Sequence, residues 1–248
     1  MKALVTGASS GIGREIAIIL DGMGYDIIAV ARREDRLKEL ADILKNKTEI
    51  YSIDLSDKEE CIKLCNNFPD IDILINNAGF GVFGEFFKTP LAEELSMIDV
   101  NIRATHILTK LYLKEFIKKD SGYILNVASS AAFFPGPLFS SYYASKAYVY
   151  RLTRAINREI KKNGSKVSVS LLCPGLVDTE FSEVAGVKFG IGAITAEKTA
   201  RYAIKKMFSK KLVIVPGFTI KCTRFLSKII PDCICEKIVY KIQKSKEK

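Results

Sequence analysis

The sequence has few of the residues and patterns that signal several common functions. Histidine occurs once, as His106, so a Ser-His-Asp or Cys-His catalytic triad is excluded unless that residue takes part. No run of 18 or more uncharged apolar residues occurs, which argues against a transmembrane helix. The first thirteen residues carry one lysine and then glycines where a signal peptide needs an unbroken apolar stretch. We therefore expect a cytoplasmic protein.

Six cysteines are present, but their spacing is typical of neither a metal site nor a disulfide framework. Cys61 and Cys65 are one helical turn apart, and a single residue separates Cys233 from Cys235, whereas a zinc knuckle needs CxxC pairs. In the absence of a secretory signal, reduced thiols are the simpler interpretation. No metal ligand is predicted.

The 248 residues are 48% hydrophobic and 27% charged, which suits one globular body with a sizeable core. The net charge of +10 comes from the carboxyl end, because residues 1–200 contain 25 basic and 25 acidic side chains and residues 201–248 contain 13 and 3. A neutral catalytic body with a basic carboxyl-terminal segment is predicted. Nucleic-acid binding is not, since such domains spread their basic residues over one face.

Short apolar runs alternate with longer helical patterns along the chain. The runs cover residues 3–5, 27–30, 71–75, 123–127, 167–172 and 212–215. Apolar strands that alternate with helices predict an α/β fold, a doubly wound parallel sheet in a single domain. We place the domain at residues 1–217 and interpret residues 218–248 as its basic amphipathic extension.

A glycine-rich turn, residues 6–13, connects the first predicted strand to a helix. Such a turn lets the backbone approach a pyrophosphate and directs amide groups and the positive end of the helix dipole toward it. Because it lies between a strand and a helix, the turn predicts dinucleotide binding.

Several short motifs follow one another in a specific order. They are Gly7, Gly11 and Gly13, then Asp54-Leu55, Asn76-Asn77-Ala78-Gly79, Asn101, Ser129, Tyr142-x-x-x-Lys146 and Pro174-Gly175. In this order and spacing the chain resembles the short-chain dehydrogenase/reductase family over nearly all of residues 1–220. The resemblance implies a Rossmann-type fold of standard length, a nicotinamide cofactor, and relatives that are often homodimers or homotetramers.

The predicted chemistry centres on Tyr142 and Lys146, which lie four residues apart on a predicted helix and so share a face. A lysine ammonium there can lower the pKa of the phenol, which makes Tyr142 a candidate general acid or base. Ser129, at the end of a strand, would hydrogen-bond the substrate oxygen. The resemblance implies that Asn101 holds a water in a proton relay ending at Lys146, and that Lys146 also binds the nicotinamide ribose. The neighbouring tyrosines are interpreted as helix-packing residues: Tyr143, Tyr148 and Tyr150.

The cofactor is predicted to be NADPH or NADP+, with NADH the weaker alternative. Where NAD-preferring members of the family carry an acidic residue, this chain has Ala31 followed by Arg32 and Arg33. Arg32 can form charge-assisted bonds to a 2'-phosphate, although a solvated helix start is the alternative interpretation of Arg32 and Arg33. The resemblance implies these cofactor-binding residues: Gly7, Ser9, Ser10, Gly11, Ile12, Gly13, Arg32, Asp54, Leu55, Asn77, Ala78, Gly79, Tyr142, Lys146, Pro174, Gly175, Val177 and Thr179.

The substrate side is predicted to be apolar. In this family it is walled by the segments 80–83, 133–139 and 181–194, which here are rich in phenylalanine and carry few charges, Glu183 and Lys188 being exceptions. An apolar wall favours a lipid-like or steroid-like ketone. Alternatively, some of these phenylalanines belong to the core or to a subunit interface.

The carboxyl-terminal segment has apolar residues at helical spacing among lysines. Phe225, Leu226, Ile229 and Ile230 precede Pro231, and Ile234, Ile238 and Ile242 follow it. The segment could pack on the body and cover the site, contact a second subunit, lie on an anionic membrane surface, or bind an acidic acyl carrier.

Together these features predict NADPH-dependent reduction of a hydrophobic ketone to a secondary alcohol, reversible in principle. Two alternatives stay open: a 3-oxoacyl reductase acting on carrier-bound chains, and a catalytically silent NADPH-binding regulator.

Overall fold

The computed structural model describes residues 1–181, 185, 193–227 and 229–245. Its strands are β1 Lys2–Thr6, β2 Asp26–Ala31, β3 Thr48–Ser52, β4 Ile73–Asn76, β5 Tyr123–Val127, β6 Ser168–Leu172, β7 Val177–Asp178, β8 Ile194–Thr195 and β9 Val213–Ile214. Its α-helices are α1 Gly11–Asp21, α2 Glu34–Ile43, α3 Lys58–Asn67, α4 Leu91–Ile98, α5 Thr105–Lys119, α6 Ser140–Lys162, α7 Ala196–Phe208, α8 Phe218–Leu226 and α9 Asp232–Lys244. A π-helical turn, Asp99–Ala104, joins α4 to α5, and a 3-10 turn, Ser130–Phe133, follows β5.

The main sheet has seven parallel strands in the order β3-β2-β1-β4-β5-β6-β9. The predicted doubly wound α/β fold is therefore confirmed. The chain builds outward from β1 to β3 and then returns to place β4 on the other side of β1. At this reversal the connections leaving β1 and β4 diverge, which opens a crevice at the carboxyl ends of the strands. The short β7-β8 pair was not predicted.

The core lies on both faces of the sheet because the central strands carry apolar side chains that point to both faces. In β1, Ala3 and Val5 pack with α1 and α7 on one face, whereas Leu4 packs with α3 and α5 on the other. All three side chains are fully buried. Burying a side chain the size of Leu4 contributes about 2 kcal/mol to stability, so the strand is held from both sides.

A buried polar network lies beneath the crevice. The Asn76 side chain at the end of β4 donates to Asn126 Oδ1 of β5 (2.8 Å) and to Thr109 Oγ1 of α5 (2.9 Å). Asn126 in turn donates to Thr153 Oγ1 of α6 at 2.9 Å. Buried polar groups are costly unless they are paired, and this chain of bonds fixes the strand ends relative to the helices that carry the site.

The carboxyl-terminal segment folds as α8 and α9, separated at Pro231 as predicted. Helix α9 buries Cys235 and Gln243. The apolar stripe faces outward instead: Ile234, Ile238 and Ile242 are 47%, 48% and 51% exposed. Within the described part of the chain, no helix is long and apolar enough to cross a membrane.

Candidate active site

A cavity of about 550 Å³ occupies the crevice at the carboxyl ends of β1, β4, β5 and β6. The predicted site residues that line it are Gly7, Ser9, Ser10, Gly11, Ile12, Arg32, Asp54, Leu55, Asn77, Ala78, Gly79, Ser129, Tyr142, Lys146, Pro174, Gly175, Val177 and Thr179. Gly13 and Asn101 lie directly behind lining residues. The fold thus brings together residues that are scattered over most of the sequence.

The turn after β1 depends on its glycines. Gly7 and Gly11 have φ angles of 66° and 55°, in the left-handed region that favours glycine. A Cβ on Gly13 would lie 2.3 Å from the Gly7 carbonyl oxygen. The first turn of α1 therefore packs directly against the strand exit, and the amino end of the helix faces the cavity, where its unpaired amides and dipole favour an anion.

Thr6 and Asn77 hold this turn in place. The Thr6 hydroxyl accepts hydrogen bonds from the backbone amides of Asn77 (3.0 Å) and Ala78 (3.1 Å). The Asn77 side chain donates to the carbonyl oxygens of Thr6 and Gly7, at 3.1 and 3.3 Å. These bonds tie the exit of β4 to the exit of β1, so the two walls of the crevice form one unit.

The two arginines after β2 line the same end of the cavity. Arg33 donates to Ser9 Oγ at 3.3 Å and to the Glu180 carboxylate at 2.7 Å. This bond from Arg33 is the main cause of a lowered pKa at Glu180. Glu180 is not among the predicted site residues, because it lies 147 residues from Arg33 and only the fold brings the two together. Nearby, Asp54 accepts a hydrogen bond from the backbone amide of Ser56 at 2.9 Å.

Tyr142 and Lys146 project from the first turns of α6 and are 7% and 4% exposed. Lys146 Nζ lies 5.7 Å from the centroid of the Tyr142 ring and donates to the Val127 carbonyl oxygen at 3.2 Å. Ser129 hydrogen-bonds the Tyr142 hydroxyl, and its Oγ accepts from the Ala131 amide at 3.1 Å. The Tyr142 phenol, the Ser129 hydroxyl and the Lys146 ammonium therefore lie close together at the carboxyl end of β5.

Burial controls the ionisation of both groups. It raises the pKa of Tyr142 above the ordinary value of 10, and the hydrogen bond with Ser129 opposes this only partly. The direction is the opposite of the one expected from the neighbouring lysine. Burial also lowers the pKa of Lys146 to about 8, since desolvation disfavours the charged form of each group. Tyr142 is therefore a neutral phenol near pH 7, suited to donating a proton.

Asn101 lies in the π-helical turn and is 1% exposed. Its Oδ1 accepts from the Phe80 amide (3.1 Å), and its Nδ2 donates to the Phe80 carbonyl oxygen (2.9 Å) and to Ser145 Oγ (3.0 Å). A Cβ on Gly79 would lie 2.7 Å from Asn101 Oδ1 and 3.1 Å from Lys146 Nζ. Asn101 therefore braces the loop after β4 against α6, directly behind the lysine.

The other end of the cavity is aromatic. Phe139 stacks on Tyr142 with ring centroids 4.6 Å apart, and Phe181 lies 5.3 Å from the same ring. Both line the cavity, as do Phe80 and Tyr143. Of the predicted wall segment 181–194, the residues 182–184 and 186–192, which include Glu183 and Lys188, lie outside the described residues.

Some aromatics serve the core, as the alternative interpretation held. Phe133 packs against Tyr150, with centroids 5.6 Å apart. Tyr148 is exposed and its hydroxyl is 2.7 Å from His106 Nδ1. Tyr143 was interpreted as packing only, yet it lines the cavity and its hydroxyl accepts a hydrogen bond from Gln243 of α9 at 2.6 Å.

Comparison with known proteins agrees with this geometry. The family model described as short chain dehydrogenase matches residues 1–188. An uncharacterized oxidoreductase of Staphylococcus epidermidis is 36% identical over 192 residues, covering 76% of this chain and 82% of the relative. The 3-oxoacyl-[acyl-carrier-protein] reductase of Rickettsia prowazekii is 29% identical over 226 residues, covering 88% and 93%. A short-chain dehydrogenase from Sphingobium yanoikuyae, solved in complex with NADPH, has a TM-score of 0.82 at 28% identity, covering 88% of each chain. With its parallel sheet, glycine turn and paired tyrosine and lysine, the chain belongs to the short-chain dehydrogenase/reductase family of oxidoreductases.

Proposed function

We propose that the chain catalyses NADPH-dependent reduction of a hydrophobic ketone to a secondary alcohol, reversibly. The observation that carries the proposal is the buried Tyr142, hydrogen-bonded to Ser129 and one helical turn from Lys146. This group lies between the glycine turn at one end of the cavity and the aromatic wall at the other. This arrangement supports Tyr142 as a proton donor between a cofactor and an apolar substrate.

The residues at the glycine-turn end fit a dinucleotide. Gly11 and Ile12, at the amino end of α1, line the cavity, where backbone amides and the helix dipole favour phosphate oxygens. Asp54 would bind the adenine amino group, and Asn77, Ala78 and Gly79 the adenine ribose. A bound NADPH supplies a hydride.

The residues around Tyr142 would complete the reaction. Ser129 donates a hydrogen bond to the ketone oxygen and stabilises the charge that develops on it. The Tyr142 hydroxyl would transfer its proton to that oxygen as the alcohol forms. Lys146, with a pKa of about 8, can release and regain a proton near neutral pH and so return one to Tyr142. Asn101 would position the end of this proton relay at Lys146.

The preference for NADPH rests on the end of β2. Ala31 there leaves no carboxylate to repel a 2'-phosphate, and Arg32 and Arg33 both line the cavity beside it. Guanidinium groups bind phosphate through charge-assisted hydrogen bonds. We expect a lower dissociation constant for NADPH than for NADH.

The test is ketone-dependent oxidation of NADPH over a panel of steroid, 3-oxoacyl and small aliphatic or aromatic ketones. Tyr142→Phe should lower turnover by about 10²-fold or more. Tyr148→Phe is the matched control, since Tyr148 lies on the same helix but is exposed, and it should leave turnover unchanged. Equal rates in wild type and Tyr142→Phe would contradict the proposal.

The same panel separates the two alternatives. Similarity to the Rickettsia prowazekii reductase over 226 residues favours 3-oxoacyl thioesters as the second candidate, and the alternative is supported if they are reduced fastest. Cofactor binding without turnover of any ketone would instead support a regulatory NADPH-binding protein.

The outward stripe on α9 is the proposed contact surface for a partner. Its exposed isoleucines lie on a segment that carries the chain's excess positive charge. A second copy in a homodimer or homotetramer, an anionic membrane surface and an acidic acyl carrier each suit such a surface. Pelleting with anionic vesicles, with and without residues 218–248, tests the membrane; light scattering of Ile238→Asp tests the second copy.

A further inference from the structure

Helix α9 delivers a polar side chain to the aromatic end of the cavity. Gln243 is 2% exposed and lines the cavity next to Tyr143 of α6, 100 residues earlier in the chain. Their side chains are joined by the 2.6 Å hydrogen bond from Gln243 Nε2 to the Tyr143 hydroxyl. The rest of this end is formed by Phe139, Tyr142 and Phe181.

The pair has hydrogen-bonding capacity left over. Gln243 Oε1 is buried and has no partner among the described residues. The Tyr143 hydroxyl accepts from Gln243, so its own hydrogen points elsewhere. Buried polar atoms in folded proteins are generally satisfied, which suggests that a ligand supplies the missing bonds.

The charges around the cavity limit what that ligand group can be. The charged residues among the described lining are four at the glycine-turn end, Arg32, Arg33, Asp54 and Glu180, together with Lys146 beneath Tyr142. The pair itself is neutral. A carboxylate would be repelled by Gln243 Oε1, because both groups are hydrogen-bond acceptors. An alkyl chain would leave Gln243 Oε1 and the Tyr143 hydroxyl hydrogen unpaired. A hydroxyl can donate to Oε1 and accept from Tyr143 at once, and a secondary amide offers the same two functions.

We propose that Gln243 and Tyr143 recognise an uncharged hydroxyl or amide that the ketone carries away from its reacting carbonyl. This assignment rests on the proposed ketone reductase and narrows its substrate to a bifunctional molecule. A hydroxylated lipid or steroid ketone supplies a hydroxyl, and the arm of a carrier-bound 3-oxoacyl thioester supplies an amide. In both, the apolar part fills the aromatic wall and the second polar group docks at α9.

The test compares ketones that differ only in this second group. One pair is a 17-oxosteroid with and without a 3-hydroxyl; the other is 3-oxohexanoyl N-acetylcysteamine thioester and its S-hexyl analogue, which lacks the amide. In wild type we expect kcat/KM to favour at least one polar member by about tenfold or more, since a site built for a hydrogen bond discriminates against the analogue without it. The pair that shows the preference identifies the source of the group.

The variants are Gln243→Leu and Tyr143→Phe, which remove the polar atoms and keep similar shapes. Each should reduce the preference to about onefold. Lys241→Gln is the control, because Lys241 lies on the same helix and is exposed, and it should retain the preference. A preference that neither variant changes, or none in wild type for either pair, would overturn the assignment.

A binding measurement tests this assignment separately from the proposed function. Calorimetric titration of the same ketones into NADP+-loaded protein reports recognition without turnover. A binding preference that Gln243→Leu removes, in a protein that reduces no ketone, would support the assignment and reject the reductase. Turnover of ketones with no such preference in binding or in kcat/KM would support the reductase and reject the assignment.

Discussion

The ion pair between Arg33 and Glu180 leads to a sharp prediction about cofactor selectivity. Arg33, which follows the Arg32 expected to hold a 2'-phosphate, is bonded to the Glu180 carboxylate at 2.7 Å, and the side chains of Arg33 and Glu180 are 44% and 40% exposed. The lowered pKa of Glu180 keeps it charged at pH 7. A 2'-phosphate must therefore compete with this carboxylate. Glu180→Gln removes the competing charge, so it should strengthen binding of NADPH and leave binding of NADH nearly unchanged.

The exposure of the pair sets the size of the effect. Ion pairs at this exposure are worth roughly 0.2–1 kcal/mol, which corresponds to a decrease of about 1.5- to 5-fold in the dissociation constant for NADPH. The effect should shrink as salt is raised. Arg33→Gln should act in the opposite direction, by about tenfold or more, because it removes a charge-assisted bond.

Fluorescence titration of NADPH and NADH at low and at 0.5 M salt measures both constants. The matched control is Glu197→Gln, which removes the carboxylate of another exposed ion pair, with Arg201 at 2.8 Å on α7, and should change neither constant. An unchanged or weaker affinity of Glu180→Gln for NADPH would refute the reasoning, and an equal gain for NADH would show that the 2'-phosphate is not the group involved.

Three further predictions concern the buried groups of the site. Tyr142→Phe should lower kcat by about 10²- to 10⁴-fold, as expected for loss of a general acid, with an unchanged dissociation constant for NADPH in the same titration. Burial lowers the pKa of Lys146 from 10.5 to about 8, so the unfolded chain binds this proton more tightly and the free energy of unfolding rises with pH between those values. Lys146→Met should therefore have a higher melting temperature than wild type at pH 7 and lose that advantage near pH 10.5. A difference in melting temperature that stays constant over this pH range would contradict the prediction. Gly13→Ala should destabilise by roughly 1–3 kcal/mol in urea unfolding, because its Cβ would lie 2.3 Å from the Gly7 carbonyl oxygen. Gly22→Ala, whose nearest contacts would be an ordinary 3.5 Å, is the control and should be neutral or stabilising.

Local patterns in the sequence were enough to predict the parallel sheet, the glycine turn and the placement of Tyr142 beside Lys146. Residues four apart on a helix share a face wherever the helix lies, and a strand with consecutive apolar residues, which point to both faces, must be covered on both sides. The conformations of Gly7 and Gly11 are likewise local, since their positive φ angles are a property of the turn.

Long-range packing decided the rest. Phe133 packs against Tyr150, whereas Phe139 packs against Tyr142. Both residues belong to the same phenylalanine-rich segment, so the sequence does not indicate which of them lies beside the site. The bonds of Asn101 to Phe80 and Ser145 likewise depend on how the π-helical turn meets α6.

Local patterns therefore suffice to predict the fold class, the turn that faces a cofactor, and the tyrosine that has a lysine one helical turn away. The raised pKa of Tyr142 follows from tertiary packing, because desolvation depends on everything packed around the group. Only the tertiary structure brought Glu180 to Arg33 across 147 residues and Gln243 to Tyr143 across 100. Contacts over such separations follow from the assembled layers and not from any local pattern, and they are the contacts proposed to select the cofactor and the substrate.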